Sequence, residues 1–150
     1  MLLKKGIVPI AVVLLDQVSK GVCGKILSPG QEWAVVPFFS LVNVKNSGSV
    51  WGFFQGKGGI LALLGILALI LLFRFRSTFG LISRADRAMF GLLCGGIMGN
   101  TIDRLQLGYV VDFLSFHVKT FEWPAFNLAD SALSVATFYF FTRAFFPQKK

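Results

Sequence analysis

The sequence predicts a mainly α-helical membrane protein, with four transmembrane helices and a small β-strand platform and loop on the outer face. Three observations predict it. The 150-residue chain is 55% hydrophobic, with Phe occurring 17 times, and its mean hydropathy is +0.70, well above an ordinary soluble domain. Four apolar segments approach the length of about 20 residues that a helix needs to cross a bilayer. Basic residues gather at alternate ends of those segments. The length suits a single domain over 1–150.

The first predicted span covers 6–24. Lys4 and Lys5 precede the run "GIVPIAVVLL", which has the look of a signal peptide. Asp16 then interrupts, no small-x-small cleavage site follows, and "SKGV" before Cys23 lacks the Leu expected ahead of a lipid-modified cysteine. The segment therefore reads as a retained helix. The second span, 58–75, is the plainest, "GGILALLGILALILLF". The third covers 87–105 and the fourth 125–145, and each carries its polar residues at one end. Between spans one and two, "EWAVVPFFSLVNVKNSGSVWGFF" reads as short strands around a turn at "KNSGS".

Orientation follows from Lys and Arg near the span ends. Lys4, Lys5, Arg74, Arg76, Arg84, Arg87, Arg143, Lys149 and Lys150 all fall on one side of a four-span protein. That side is expected to be cytoplasmic, with both termini on it. The formal charge of +8 thus reads as membrane topology. No contiguous basic stripe or nucleic-acid motif is present, so no nucleic-acid partner is expected.

Chemistry-bearing residues are scarce. Cys23 and Cys94 sit in or beside apolar runs and read as small packing hydrophobes. His117 is the lone histidine, so a Cys/His metal site and a Ser/His/Asp triad both lack members. His117 reads as a surface residue, and no metal or cofactor is expected. The seven acidic residues divide in two. Glu32, Asp86 and Glu122 fall in predicted loops and read as solvated surface. Asp16, Asp103, Asp112 and Asp130 each fall in the outer half of a span or just beyond its end. Carboxylates at membrane depth are costly and point to function.

Helical spacing draws the polar groups together. Asn100 and Asp103 are three apart, as are Asn127 and Asp130, with Ser134 on the same face. Asp16 and Lys20 are four apart. Structural duties also suit them. Asn127 is placed to cap the fourth helix, Asp130 to complement its dipole, and Asp103 to pair with Arg104 or Lys20. Paired carboxylates sharing a proton are the remaining hydrolytic chemistry: one activates water, the other polarises a carbonyl and protonates the leaving amine. The residues alone do not choose between Asp103 and Asp112. A small proton-coupled carrier using intramembrane carboxylates is the alternative reading.

The stretches "DQVSK" (16–20), "NVKNSGSVWGFF" (43–54), "GNTIDR" (99–104), "VVDF" (110–113) and "FNLAD" (126–130) stand in an order and spacing that resemble the lipoprotein signal peptidases, or signal peptidase II. The resemblance covers essentially the whole chain. It implies a four-helix aspartic endopeptidase of the bacterial inner membrane, active near its outer surface. The implied reaction cuts prolipoproteins before a diacylglyceryl-modified cysteine. It implies Asp112 and Asp130 as the catalytic pair. Asn100, Asp103, Arg104 and Asn127 are then the supporting and substrate-positioning groups, with Asp16 and Lys20 as structural partners. Asn46 and Gly48 form a substrate-binding turn. Prolipoproteins and membrane lipids are the implied partners of a monomer, and globomycin the implied inhibitor. One departure is visible: Val50 and Trp51 follow that turn where the family commonly has small residues. The 114–124 segment is a candidate lid, "EWAVVPFF" a platform, and Trp33, Trp51 and Trp123 an interfacial aromatic belt.

Overall fold

The computed structural model describes residues 3–49 and 53–145, with the side chains of 3–5 outside that description. Val50, Trp51, Lys149 and Lys150, and the side chains of Lys4 and Lys5, therefore lie outside the described residues. Among the described residues four α-helices form: α1 (Leu3–Ile26), α2 (Gly58–Arg74), α3 (Arg84–Leu107) and α4 (Leu128–Phe145). They fall on the four predicted apolar segments. By length and composition, Gly6–Ile26 is long and apolar enough to cross a membrane, while Gly58–Arg74 is a shorter apolar helix.

Helix α3 is the central element and packs against each of the other three helices. Its glycines make that possible. A Cβ at Gly95 would stand 2.7 Å from Val12 Cβ, one at Gly91 2.9 Å from Val8 Cβ, and one at Gly99 2.6 Å from Asp16 Oδ2. These three share one face at four-residue spacing, so the α1 backbone lies directly against α3. Gly96 does the same for α4, where a Cβ would meet the Ala129 carbonyl at 2.6 Å.

The polarity is inverted relative to a water-soluble bundle. Leu14, Leu15, Val18, Leu63, Ile70, Phe138 and Phe141 are exposed, while Asp16, Lys20, Asn100, Asp103, Asp112 and Asn127 are buried.

An antiparallel sheet of order β1-β2-β3-β4 sits at one end of the bundle, with β1 (Glu32–Val36), β2 (Phe39–Asn46), β3 (Val110–Val118) and β4 (Phe121–Glu122). The end of α1 anchors it. Cys23 and Leu27 pack under Phe113 with Leu41, Leu114 and Leu128, and Asn43 Nδ2 donates to the Leu27 carbonyl at 2.7 Å. Cys23 and Cys94 are free and buried, as their apolar surroundings predict.

Three expectations need correction. The β1–β2 reversal lies at Pro37–Phe38, and "KNSGS" instead begins the exit from β2. Much of the 114–124 segment expected as a loop is strand: 114–118 belong to β3, which runs beside β2 with Val44 opposite Asp112 and Phe39 opposite Phe116, and Phe121–Glu122 form β4. The β3 run of Val, Phe and Leu satisfies a pleated, half-buried surface once β2 supplies a partner.

Asp86 is the third correction, being 2% exposed rather than solvated. It forms a capping box with Ser83 at the start of α3 and accepts from Tyr139 Oη at 2.8 Å. It also pairs with Arg143, whose guanidinium donates to the Gly80 carbonyl at 3.0 Å. The Ser-x-x-Asp half of this cluster is legible locally. The α4 half is long-range and is not. Glu32 and Glu122 are exposed, as expected.

Removing one partner of a buried ion pair leaves the other uncompensated. Asp86→Ala is therefore expected to destabilise the protein by about 2–4 kcal/mol in thermal melts. A shift within about 0.5 kcal/mol would return Asp86 to the surface class.

Candidate active site

Four aspartates converge where α1, α3, α4 and β3 meet, but they are not equivalent. Asp16 and Asp103 share one cation. Lys20 Nζ lies 2.7 Å from Asp16 Oδ2 and 2.9 Å from Asp103 Oδ2, with all three side chains almost wholly buried. Gln17 Nε2 donates to the other oxygen of Asp103 at 2.7 Å, and the Val111 N–H reaches Asp103 Oδ2 at 3.3 Å. The second oxygen of Asp16 accepts from the Ala129 N–H at 2.9 Å, tying α1 to the first turn of α4. Both carboxylates are ion-paired to the same ammonium and further hydrogen-bonded.

Asp112 and Asp130 are held only by neutral donors. Asp112 accepts from Asn127 Nδ2 at 2.7 Å and Asn46 Nδ2 at 2.9 Å. Asp130 accepts from Asn100 Nδ2 at 2.7 Å and the Asn127 N–H at 3.2 Å. Neither forms a salt bridge among the described residues. The separation of Asp103 from Asp112, open in the sequence, is thus made by the position of one ammonium group.

The three asparagines have their orientations dictated by donor-only partners. Lys20 Nζ donates to Asn100 Oδ1 at 3.0 Å, which turns Asn100 Nδ2 toward Asp130. The Asp130 N–H donates to Asn127 Oδ1 at 2.9 Å, turning Asn127 Nδ2 toward Asp112. The Gly48 N–H donates to Asn46 Oδ1 at 3.0 Å, turning Asn46 Nδ2 toward Asp112 as well. Asn127 therefore does cap α4, with Asp130 completing a reciprocal box, and it also serves the site. The structural and functional readings of that pair coincide.

Arg104 extends from α3 and donates to the Gly48 carbonyl at 2.9 Å. Its Nε is buried and unpartnered. Gly48 itself has no room for a side chain, since a Cβ would stand 2.5 Å from the Phe53 carbonyl oxygen. Asn46 and Arg104, both hydrogen-bonded to Gly48, shape one rim of a cavity of about 1200 Å³ that Asp112 and Asp130 also line. Its other wall is apolar, including Leu61, Leu64, Ile97 and Leu133. Helices α2 and α4 each pack on α3 without an extensive mutual contact among the described residues, and this apolar part lies between them.

All ten site residues expected from the sequence are therefore in this region. Asn46, Asn100, Arg104, Asp112 and Asp130 line the cavity, while Asp16, Lys20, Gly48, Asp103 and Asn127 stand behind them. Gln17 is an addition. Its place three residues before Lys20, beside Asp16, puts it on the same helical face. His117 is half-buried at the far end of β3, away from the carboxylates.

The sequence pattern of signal peptidase (SPase) II matches residues 8–146. The lipoprotein signal peptidase of Paraburkholderia phymatum is 40% identical over 132 residues, covering 85% of this chain and 79% of that one. The lipoprotein signal peptidase of Thermodesulfovibrio yellowstonii is 36% identical over 132 residues, covering 86% of each. A bacterial membrane enzyme solved by the in meso method at 2.3 Å resolution superposes with a TM-score of 0.79 at 28% identity. That match covers 98% of this chain and 93% of the other. None of these likenesses supports the carrier reading. Carboxylates freed of cations at a cavity, and a match along nearly the whole chain, lead to one conclusion: the protein belongs to the signal peptidase II family, a family of peptidases.

Proposed function

We propose that Asp112 and Asp130 are the catalytic pair of an aspartic endopeptidase that removes signal peptides from prolipoproteins, cutting before the diacylglyceryl-modified cysteine. The observation that carries this is the contrast among the four aspartates: two are ion-paired to Lys20, and the two that line the cavity have only amide partners.

The chemistry follows from that contrast. Two nearby carboxylates, here one buried and one half-buried, share a proton rather than both ionising. The ionised member takes a proton from water, which attacks the scissile carbonyl. The protonated member polarises that carbonyl and then protonates the leaving amine. Burial pushes the Asp112 carboxyl up to about 7, helped by the Asp130 charge and opposed by the Asn46 and Asn127 amides. Asp112 can thus hold the shared proton near neutrality. Arg104 and the Gly48 turn position the substrate backbone.

The fold supports a four-span placement. Helices of 24, 17, 24 and 18 residues measure about 36, 26, 36 and 27 Å at 1.5 Å per residue. Along α3, the Asp86 cluster and the Asp103 cluster stand about 25 Å apart, close to a bilayer's apolar thickness. Arg74, Arg76, Arg84 and Arg87 gather at the Asp86 end, which supports a cytoplasmic location for that end and both termini. The carboxylates and sheet then lie at the outer surface of the inner membrane, where water reaches them. An apolar signal peptide enters between α2 and α4. Exposed Trp33 and Trp123 suit the interface. Every site group comes from one chain, so a monomer is sufficient.

Cleavage of a diacylglyceryl-modified prolipoprotein by purified variants tests the pair. Asp112→Asn and Asp130→Asn are expected to lose about 10²–10⁴-fold in rate while remaining folded. An active Asp112→Asn beside an inactive, folded Asp103→Asn would transfer the role to Asp103.

A pH series gives a second test. Because the folded Asp112 binds its proton more tightly than the usual value of 3.8, its contribution to stability is complete below about 3.8. That contribution is lost as pH rises through about 7. Wild type should therefore lose stability across that window, with Asp112→Asn showing a flatter profile. Wild-type cleavage should decline on the alkaline side of about 7. Identical stability profiles for the two proteins would sink the raised carboxyl.

A further inference from the structure

A second, smaller cavity of about 340 Å³ lies along the sheet, walled by Phe116, His117, Val118, Phe121, Trp123 and Phe126. Its lining is almost wholly aromatic or aliphatic, and neither the carboxylate chemistry nor the packing of the helices uses it. It is built rather than incidental. Phe116 and Phe126 stack at 5.9 Å with an interplanar angle of 17°, and Phe39 braces Phe116 at 5.0 Å. The return segment is pinned to β3 by the Trp123 N–H on the Phe116 carbonyl at 2.8 Å and the Phe126 N–H on the Leu114 carbonyl at 3.0 Å. Trp123 and Phe126 also line the carboxylate cavity, so the two cavities share a wall.

We propose that this aromatic pocket is a substrate subsite, taking an apolar side chain of the polypeptide a few residues downstream of the scissile bond. The inference rests on the assignment of Asp112 and Asp130 as the catalytic pair. Direction comes from the first cavity. Its apolar part runs between α2 and α4, which accommodates the signal peptide. The downstream segment must leave by the other exit, past Trp123 and along β3. Register comes from strand geometry. Phe116 is four residues from Asp112, about 13 Å along a strand, and an extended substrate covers that span in about four residues. The occupant is thus a side chain three to five residues past the cut. Its class is set by the pocket wall, in which five apolar or aromatic side chains stand beside one imidazole, His117, and no carboxylate.

The test uses the full-length protein in bilayer-mimicking micelles and a series of diacylglyceryl-modified prolipoproteins. Each carries Leu or Gly at one position from the second to the sixth residue after the cut. The Leu/Gly ratio of kcat/KM should peak at about tenfold at one position among the third to fifth, chiefly through KM. Phe121→Ser, at an exposed site, should bring that ratio to about one, and Val118→Asn should do the same if Phe121→Ser fails to fold in a thermal melt. A flat wild-type ratio at every position would overturn the subsite and leave the pocket as a bilayer contact. So would a peak that survives both folded variants. Absence of cleavage for every substrate would instead overturn the catalytic-pair assignment, and this inference with it.

Discussion

The ammonium group of Lys20 holds this structure together. Buried between Asp16 and Asp103, it is the one cation that both carboxylates share in a region that solvates charge poorly. A lone buried lysine or aspartate there would be far less stable than the pair. Once that charge is in place, Asp16 is free to bind the Ala129 N–H on α4, and Asn100 must present its amide nitrogen to Asp130. The positions of α1, α3 and α4, and the donor that reaches Asp130, all follow from one shared cation.

The same interaction explains why a chain with few acids places so many together. Asp16 and Asp103 balance Lys20 and organise the helices. Their pairing with Lys20 leaves Asp112 and Asp130 as the carboxylates facing the cavity without a cation bonded to them. Arg104 approaches but directs its hydrogen bonds to the Gly48 and Asn100 carbonyls. A proton can therefore reside on the pair, as hydrolysis without a covalent intermediate needs. Close approach of α1 to α3 is the geometric condition, and it depends on glycine: any side chain at Gly99 would collide with Asp16.

At the opposite end of α3, Asp86 repeats the principle for structure alone. Its carboxylate collects the Ser83 cap, Tyr139 and Arg143, so the loop before α3 is stapled to α4. The two polar clusters fix the bundle at both ends, and the apolar side chains between them face outward. Such a distribution has low energy only in an apolar medium, where exposed Leu and Phe cost nothing and buried polar groups satisfy one another.

Composition, apolar run length and helical spacing by themselves determined the four helices, the gathering of Asp16, Asp103, Asp112 and Asp130 in one layer, and the Asn127–Asp130 cap. These are local or periodic properties, carried by residues three and four apart. The motif order determined the family. Tertiary structure decided the rest, because it depends on groups distant in sequence. Lys20 selects Asp103 over Asp112 as an ion-pair partner across 83 positions. The β2 strand supplies hydrogen-bond partners to "VVDF" and to the residues up to Val118, and so makes a strand of an expected loop. Tyr139 and Arg143 convert Asp86 from a surface acid into a buried staple. In each case the residue's type is visible in the sequence, but its charge state and role are set by partners that only folding brings within 3 Å.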